Sequence, residues 1–293
     1  MATTDSAGPE PRPERRSPSV ARGDDGGRIA YATYGPPAGD PVVFFHGTPG
    51  SRRLGALLEP AARERGVRVI APDRPGYGRS SPRPDRTVAD AAASVRPVMD
   101  DAGVASAPLV AFSGGAPYAL STAATLGDRV SAVDVVAGAT PPSVAPDTPA
   151  VQRLLTGLAG ATPSVLAALF RGQAWLAARA DPSLVVGQYA ADADAVPDDA
   201  AAIVKEDFLA AFERHRSGAV TEFRDAGDDW GIDPAAVDVP VRLWHGTADA
   251  NVPIAGAKRL AEALPTADLR AFDGADHLGT LLRGLPEALE RPR

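Results

Sequence analysis

Pro108-Leu109-Val110-Ala111-Phe112-Ser113-Gly114-Gly115-Ala116-Pro117-Tyr118 is the stretch that decides the fold. Pro108–Phe112 is a short apolar run that reads as a buried strand, and Gly115–Leu126 reads as a helix. Ser113 stands at the joint between small neighbours, with Ala111 on the strand side and Gly115 on the helix side. This is the pattern of a strand–turn–helix elbow. The serine takes a strained backbone conformation that lifts its hydroxyl out of the turn, and the strand and helix approach too closely for larger neighbours. The N–H of Gly114 then lies at a helix N-terminus, where partial positive charge is available to an oxyanion.

Working outward from this elbow, the same alternation recurs. Apolar, β-rich runs at Val42–Phe45, Val67–Ala71, Val130–Val136, Val241–Trp244 and Leu269–Phe272 are spaced by helical stretches such as Arg52–Arg65 and Thr87–Asp101. Val20–Tyr34 reads as a hairpin turning at Asp24-Asp25-Gly26-Gly27. Strands alternating with helices predict an α/β fold, a mostly parallel sheet of about eight strands with helices on both faces. In such a sheet the chemistry belongs in the loops at the carboxyl ends of the strands.

The alternation stops over residues 141–239, an Ala-rich stretch with apolar positions at helical spacing, punctuated by Pro163, Pro182 and Pro197. It reads as about four or five helices inserted into the sheet protein. A lid over the strand ends is the simplest role for it, and a packed helical extension is the alternative. The expected organisation is a disordered Pro/Arg/Glu-rich tail over 1–17, an α/β core over 18–140 and 240–293, and a helical cap over 141–239.

Composition narrows the function classes. The chain has 293 residues, 44% of them hydrophobic, enough for a sizeable core. No apolar run approaches the roughly 18 residues of a membrane helix, so no membrane partner is expected. The absence of cysteine excludes disulfides, thiolate metal sites and cysteine nucleophiles. Thirty basic against thirty-seven acidic residues give a formal charge of −7, a poor balance for gripping nucleic acid. Arg15-Arg16 has the look of a twin-arginine export signal, but no apolar segment follows it, so a cytoplasmic location is expected.

A serine nucleophile needs a base, and the chain has four histidines. His215, in Glu213-Arg214-His215-Arg216, reads as a solvated position on a helix. His46 and His245 each end a strand and precede a glycine, a place for a loop organiser. His277, after the last strand, is the only one that follows both the elbow and a plausible carboxylate, Asp249 in Gly246-Thr247-Ala248-Asp249. Asp249 as a mere cap for a helix starting near Ile254 is one alternative; Asp276 is another candidate carboxylate, but a side chain rarely orients the ring of its own sequence neighbour.

These segments together resemble the α/β-hydrolase superfamily, in its lid-bearing branch with an HGxP loop. The matching motifs are His46-Gly47-Thr48-Pro49-Gly50-Ser51-Arg52, Asp73-Arg74-Pro75-Gly76-Tyr77-Gly78-Arg79-Ser80, the Ser113 elbow, and Trp244-His245-Gly246 through Asp249 to Val252-Pro253. The segment ending at His277 completes the set. The resemblance implies Ser113 as nucleophile, His277 as general base, Asp249 as its orienter, and the backbone N–H groups of Gly114 and Thr48 as the oxyanion hole. Two positions depart from the pattern: Ala111 stands where glycine is usual, and Asp276 precedes His277 where glycine is frequent. A carboxylate at 276 is expected to raise the imidazole pKa or to reach the pocket rim.

The activity implied is a serine hydrolase cleaving an ester of a small apolar metabolite, with no metal or organic cofactor. Thioesterase, C–C hydrolase, perhydrolase, acyl transferase or cyclase chemistry on the same residues, and a non-enzymatic ligand receptor, are the alternatives. The serine at the elbow argues against epoxide hydrolases and haloalkane dehalogenases, which use aspartate there. The partner expected is a small-molecule substrate. Cap aromatics are candidates for contacting it, with Phe170, Trp175, Phe208 and Phe212 foremost and Tyr189, Phe223 and Trp230 beside them, although filling the cap's own core is the other fate open to them.

Overall fold

Alternating apolar runs and helical stretches become an eight-stranded sheet in the computed structural model, which describes residues 17–145 and 148–290. The tail expected over 1–17 lies, except for Ser17, outside the described residues. The strands are β1 (Ser19–Arg22), β2 (Arg28–Tyr34), β3 (Asp40–Phe45), β4 (Val67–Pro72), β5 (Ala107–Phe112), β6 (Val130–Val136), β7 (Val241–Gly246) and β8 (Ala267–Phe272). Their order across the sheet is β1-β2-β4-β3-β5-β6-β7-β8. β2 pairs antiparallel with both β1 and β4, and every other pairing is parallel. The β1–β2 turn forms at the predicted place, with Gly26 at φ 77° and Asp25 Oδ1 accepting from Gly27 N at 2.9 Å.

Helices follow the strands as α1 (Glu59–Arg65), α2 (Ala92–Asp101) and α3 (Ala116–Thr125), and later as α9 (Ile254–Ala263) and α10 (His277–Ala288). Between β6 and β7 lie α4 (Ala150–Ala161), α5 (Pro163–Ala177), α6 (Ser183–Val186), α7 (Asp198–Ala211) and α8 (Ser217–Asp225), the predicted helical insertion. His215 falls in the turn between α7 and α8 rather than on a helix, half-buried, because the helix stops after Ala211. Among the described residues no helix is long and apolar enough to cross a membrane.

The strand pleat sorts core side chains onto two faces. Val43, Phe45, Leu109, Ala111 and Val133 pack with Val95, Met99 and Leu120 of α2 and α3 and with Leu260 of α9. Val42, Phe44, Val110, Phe112 and Val136 face Leu58, Ala62 and the α10 residues Leu278, Leu281 and Leu285, and this layer continues into the cap through Leu166, Phe170, Val204 and Phe208. The cap is therefore packed onto the core by apolar burial, not merely tethered.

Polar ties fix its position. Asp207 of α7 accepts from Ser51 N at 2.8 Å, Ser51 Oγ at 2.7 Å and Leu54 N at 3.0 Å. Asp276 Oδ2 accepts from Ala191 N at 2.7 Å, and Leu278 N donates to Tyr189 O at 3.0 Å. Burial pushes the Asp207 carboxyl up to about 7 despite its three donors, and buried Asp73 adds repulsion in the same direction. An acid whose folded pKa is raised contributes stability below its unfolded pKa, and that contribution is lost as pH rises through the folded value. The window here runs from the ordinary 3.8 to about 7. Asp207→Asn keeps an acceptor and cannot ionise, so its melting temperature relative to the wild type is expected to be higher at pH 8 than at pH 5. Melting curves at the two pH values check this, and a difference independent of pH contradicts it.

Candidate active site

Ser113 follows β5 directly and has φ 50°, a left-handed conformation that a side chain adopts only where the surroundings hold it. The small neighbour after it is obligatory: a β-carbon at Gly115 would lie 2.7 Å from Phe45 O and 2.8 Å from His46 O. Ala111 is fully buried in the middle of the sheet, where a methyl group is accommodated.

The parallel sheet then gathers residues that are far apart in sequence. Asp249 sits in the loop after β7, where its Oδ1 accepts from Asn251 N and Val252 N, both at 2.9 Å. These bonds shape its own loop; the N-cap of α9 is Pro253, so Asp249 does not cap that helix. Its Oδ2 is left for His277, whose Nδ1 lies 2.7 Å away. His277 Nε2 is 3.0 Å from Ser113 Oγ. The imidazole is wedged between Phe112 and Tyr189, with ring centroids at 4.9 Å and 6.3 Å. Asp276 is the N-cap of α10, its Oδ1 accepting from Gly279 N at 2.7 Å while Oδ2 holds Ala191. Both carboxylate oxygens of Asp276 are therefore engaged in holding backbone, and the residue also reaches the wall of the large cavity.

The other two strand-end histidines organise loops. His245 Nε2 donates to Val252 O at 2.8 Å, and burial lowers its pKa. His46 is fully buried, which holds its pKa well below the ordinary value, with Arg74 adding to the effect. Its Nδ1 donates to Gly47 O at 2.7 Å and its Nε2 accepts from Arg74 N at 3.2 Å, bonds that fix the neutral tautomer.

Thr48 and Gly114 approach each other beside Ser113. A β-carbon at Gly114 would stand 3.2 Å from Thr48 N and 2.2 Å from Thr48 Oγ1. Among the described residues no protein group accepts from the Thr48 N–H. These groups open onto a cavity of about 710 Å³ between core and cap, whose wall includes Thr48, Ser113, Gly114 and His277. The carboxylates on its wall are those of Glu222, ion-paired with Arg74 and Arg86, and of Asp225 and Asp276, and neither arginine nor lysine lines it.

The cap aromatics divide: of the four foremost candidates only Phe170 is on the wall of the large cavity. Phe170 lines the cavity, together with Tyr189, Phe223 and Trp230. Trp175 does not: it is 60% exposed, because α5 turns Leu166, Phe170 and Ala177 inward and 175 falls on another face. Phe208 and Phe212 pack edge to face in the cap–core layer, away from the large cavity. Phe208 instead borders a small cavity of about 20 Å³ whose wall also includes Ser113, Thr48 and Tyr189.

Sequence reasoning passed over Glu222. It is buried on the inner face of α8 with Ala219 and Asp225, and accepts from Arg74, Arg86, Tyr77 and Thr48. A carboxylate on the apolar side of an otherwise amphipathic helix was the signal available for it.

Comparison with known proteins agrees with this architecture. The family described as alpha/beta hydrolase fold matches residues 40–283. The chain is 30% identical over 276 residues to a non-heme chloroperoxidase of Streptomyces lividans, covering 90% of this chain and 94% of that one. It superposes on a bromoperoxidase from Bacillus anthracis with a TM-score of 0.72 at 22% identity, covering 93% of this chain and 98% of the other. The enol-lactonase from Burkholderia xenovorans LB400 gives a TM-score of 0.71 at 20% identity, covering 92% of this chain and 96% of the other. With a family match across most of its length and a relative aligned nearly end to end, the chain belongs to the alpha/beta hydrolase fold family.

Proposed function

We propose that this protein is a serine hydrolase that cleaves a carboxylic ester of a small, uncharged molecule through an acyl-serine intermediate, with residues 141–239 acting as a lid over the site. The observation that carries the reading is the continuous Ser113–His277–Asp249 hydrogen-bonded chain, at 3.0 and 2.7 Å, opening onto the cavity between core and cap.

In this reading Ser113 Oγ attacks the ester carbonyl carbon as its proton passes to His277 Nε2. Asp249 Oδ2 keeps the other ring proton on Nδ1 and stabilises the imidazolium. The carbonyl oxygen, now an oxyanion, receives the N–H groups of Thr48 and Gly114. Collapse of the tetrahedral species breaks the C–O bond, and His277 returns the proton to the leaving alcohol. Water then enters, loses a proton to His277, and attacks the acyl-serine; collapse releases the acid and restores Ser113. Similarity to a protein named non-heme chloroperoxidase favours a second reading on the same residues. There hydrogen peroxide takes the place of water in deacylation and a peroxy acid leaves.

With neither arginine nor lysine on the cavity wall, a substrate carboxylate entering it would lose its hydration without meeting a cationic partner. Uncharged p-nitrophenyl esters of graded acyl length are expected to be hydrolysed, and an ester carrying a free carboxylate at the acyl end to be turned over at least about tenfold more slowly in kcat/KM, as a desolvated charge without a partner implies. Comparable rates for neutral and anionic esters contradict the substrate assignment, and no turnover of any ester contradicts the ester-hydrolase reading.

A further inference from the structure

The proposed oxyanion donor Thr48 is wired to the cap. The Gly47–Thr48 peptide is planar and trans, so its C=O and N–H point in opposite directions. Gly47 O is held from behind by Arg74 Nη2 at 2.9 Å and by His46 Nδ1 at 2.7 Å. Arg74 Nη1 also holds His46 O. Fixing the carbonyl side of this peptide fixes the direction of the Thr48 N–H on the other side.

Arg74 is in turn oriented from the cap. Glu222 of α8 takes Arg74 Nε on Oε1 and Nη2 on Oε2, each at 2.7 Å, a bidentate pair buried on both sides. The same Oε2 accepts from Thr48 Oγ1 at 2.5 Å, while Thr48 Oγ1 accepts from Arg74 Nη2 at 3.0 Å. Tyr77 Oη at 2.9 Å and Arg86 Nη2 at 2.8 Å complete the shell of Glu222. Burial alone would raise the Glu222 carboxyl, yet Arg74 and Arg86 bring it down to about 2, so it is ionised throughout the working range.

We infer that Glu222 is a positioning residue for the oxyanion hole: by holding Arg74 and the Thr48 hydroxyl together it sets the direction of the Thr48 N–H, so that seating of helix α8 and competence of the hole are one event. The inference rests on the acyl-serine reading above and adds a part of the cap to its machinery.

The test uses the full chain and p-nitrophenyl acetate, with Ser113→Ala as control and active sites counted by a fluorophosphonate. Thr48→Val keeps the shape and removes the hydroxyl, whereas Thr48→Ser keeps the hydroxyl. The expected result is a fall in kcat of roughly tenfold or more for Thr48→Val, the size of a lost charge-assisted hydrogen bond. KM should change little, the rate of fluorophosphonate labelling should fall in parallel, and Thr48→Ser should retain clearly more kcat than Thr48→Val. Glu222→Gln should lower kcat per active site at least as far, and the double variant Thr48→Val/Glu222→Gln should be no worse than the poorer single one. If Glu222→Gln does not fold, the two Thr48 variants decide the matter. Wild-type kcat in Thr48→Val, equal losses in Thr48→Val and Thr48→Ser, or an effect confined to KM overturns the inference while leaving the acyl-serine reading intact. A wild-type chain that shows neither Ser113-dependent hydrolysis nor labelling overturns both.

Discussion

Ser113→Ala is expected to lower ester hydrolysis by about 10⁴-fold or more, leaving only what binding and the oxyanion donors supply. His277→Ala should fall nearly as far, because without a base the Ser113 hydroxyl is a weak nucleophile at neutral pH. The two losses should not add, since either one disables the same proton transfer over the 3.0 Å contact. Asp249→Asn should cost somewhat less: an asparagine can still touch Nδ1 but no longer stabilises the imidazolium or selects its tautomer. Asp276→Asn separates the site from its support. Its carboxylate holds Gly279 N and Ala191 N rather than the imidazole, so most of kcat should survive. Initial rates on a short p-nitrophenyl ester, with folding checked by circular dichroism, measure all of these. Substantial turnover in Ser113→Ala contradicts the mechanism.

The second large effect concerns a single methyl group. In Gly114→Ala the new β-carbon would stand 2.2 Å from Thr48 Oγ1 and 2.7 Å from Thr48 Cβ, well inside contact distance. Gly114 continues into the turn that presents Ser113, and Thr48 is held by Arg74 and Glu222, so neither side yields freely. The relief available is to spread the two N–H groups apart, which is the geometry that has to converge on the oxyanion. The expected cost is about 10²–10³-fold in kcat, the range found when one oxyanion donor is removed, with KM much less affected. Retention of kcat within about threefold of the wild type would show that Thr48 N–H and Gly114 N–H do not act together.

What the sequence disclosed and what it concealed follow from how far each feature depends on tertiary placement. Pro108–Phe112 followed by Ser113-Gly114-Gly115 is a local pattern: apolar strand, left-handed serine and close-packed glycine are all settled within a few residues. The convergence of Asp249 and His277 on Ser113 was also legible, because a parallel sheet delivers its strand ends to one edge and each of these residues follows a strand. Helix phase was the first thing to fail. Trp175 is apolar and lies on a helix near Phe170, yet five residues at about 100° each turn it well away from the inward face. Phe208 and Phe212 do face inward, but toward the packed layer between cap and core rather than the cavity. The Glu222–Arg74 pair was beyond reach for a different reason. The two are 148 residues apart, and their partnership exists only once α8 is laid against the loop after β4.

Mass spectrometry after fluorophosphonate treatment reports directly on whether Ser113 is the activated nucleophile. One adduct per chain is expected, located by peptide mapping on Ser113, absent from Ser113→Ala and formed far more slowly in His277→Ala. An adduct on a different residue, or equal labelling of the wild type and Ser113→Ala, would contradict that role.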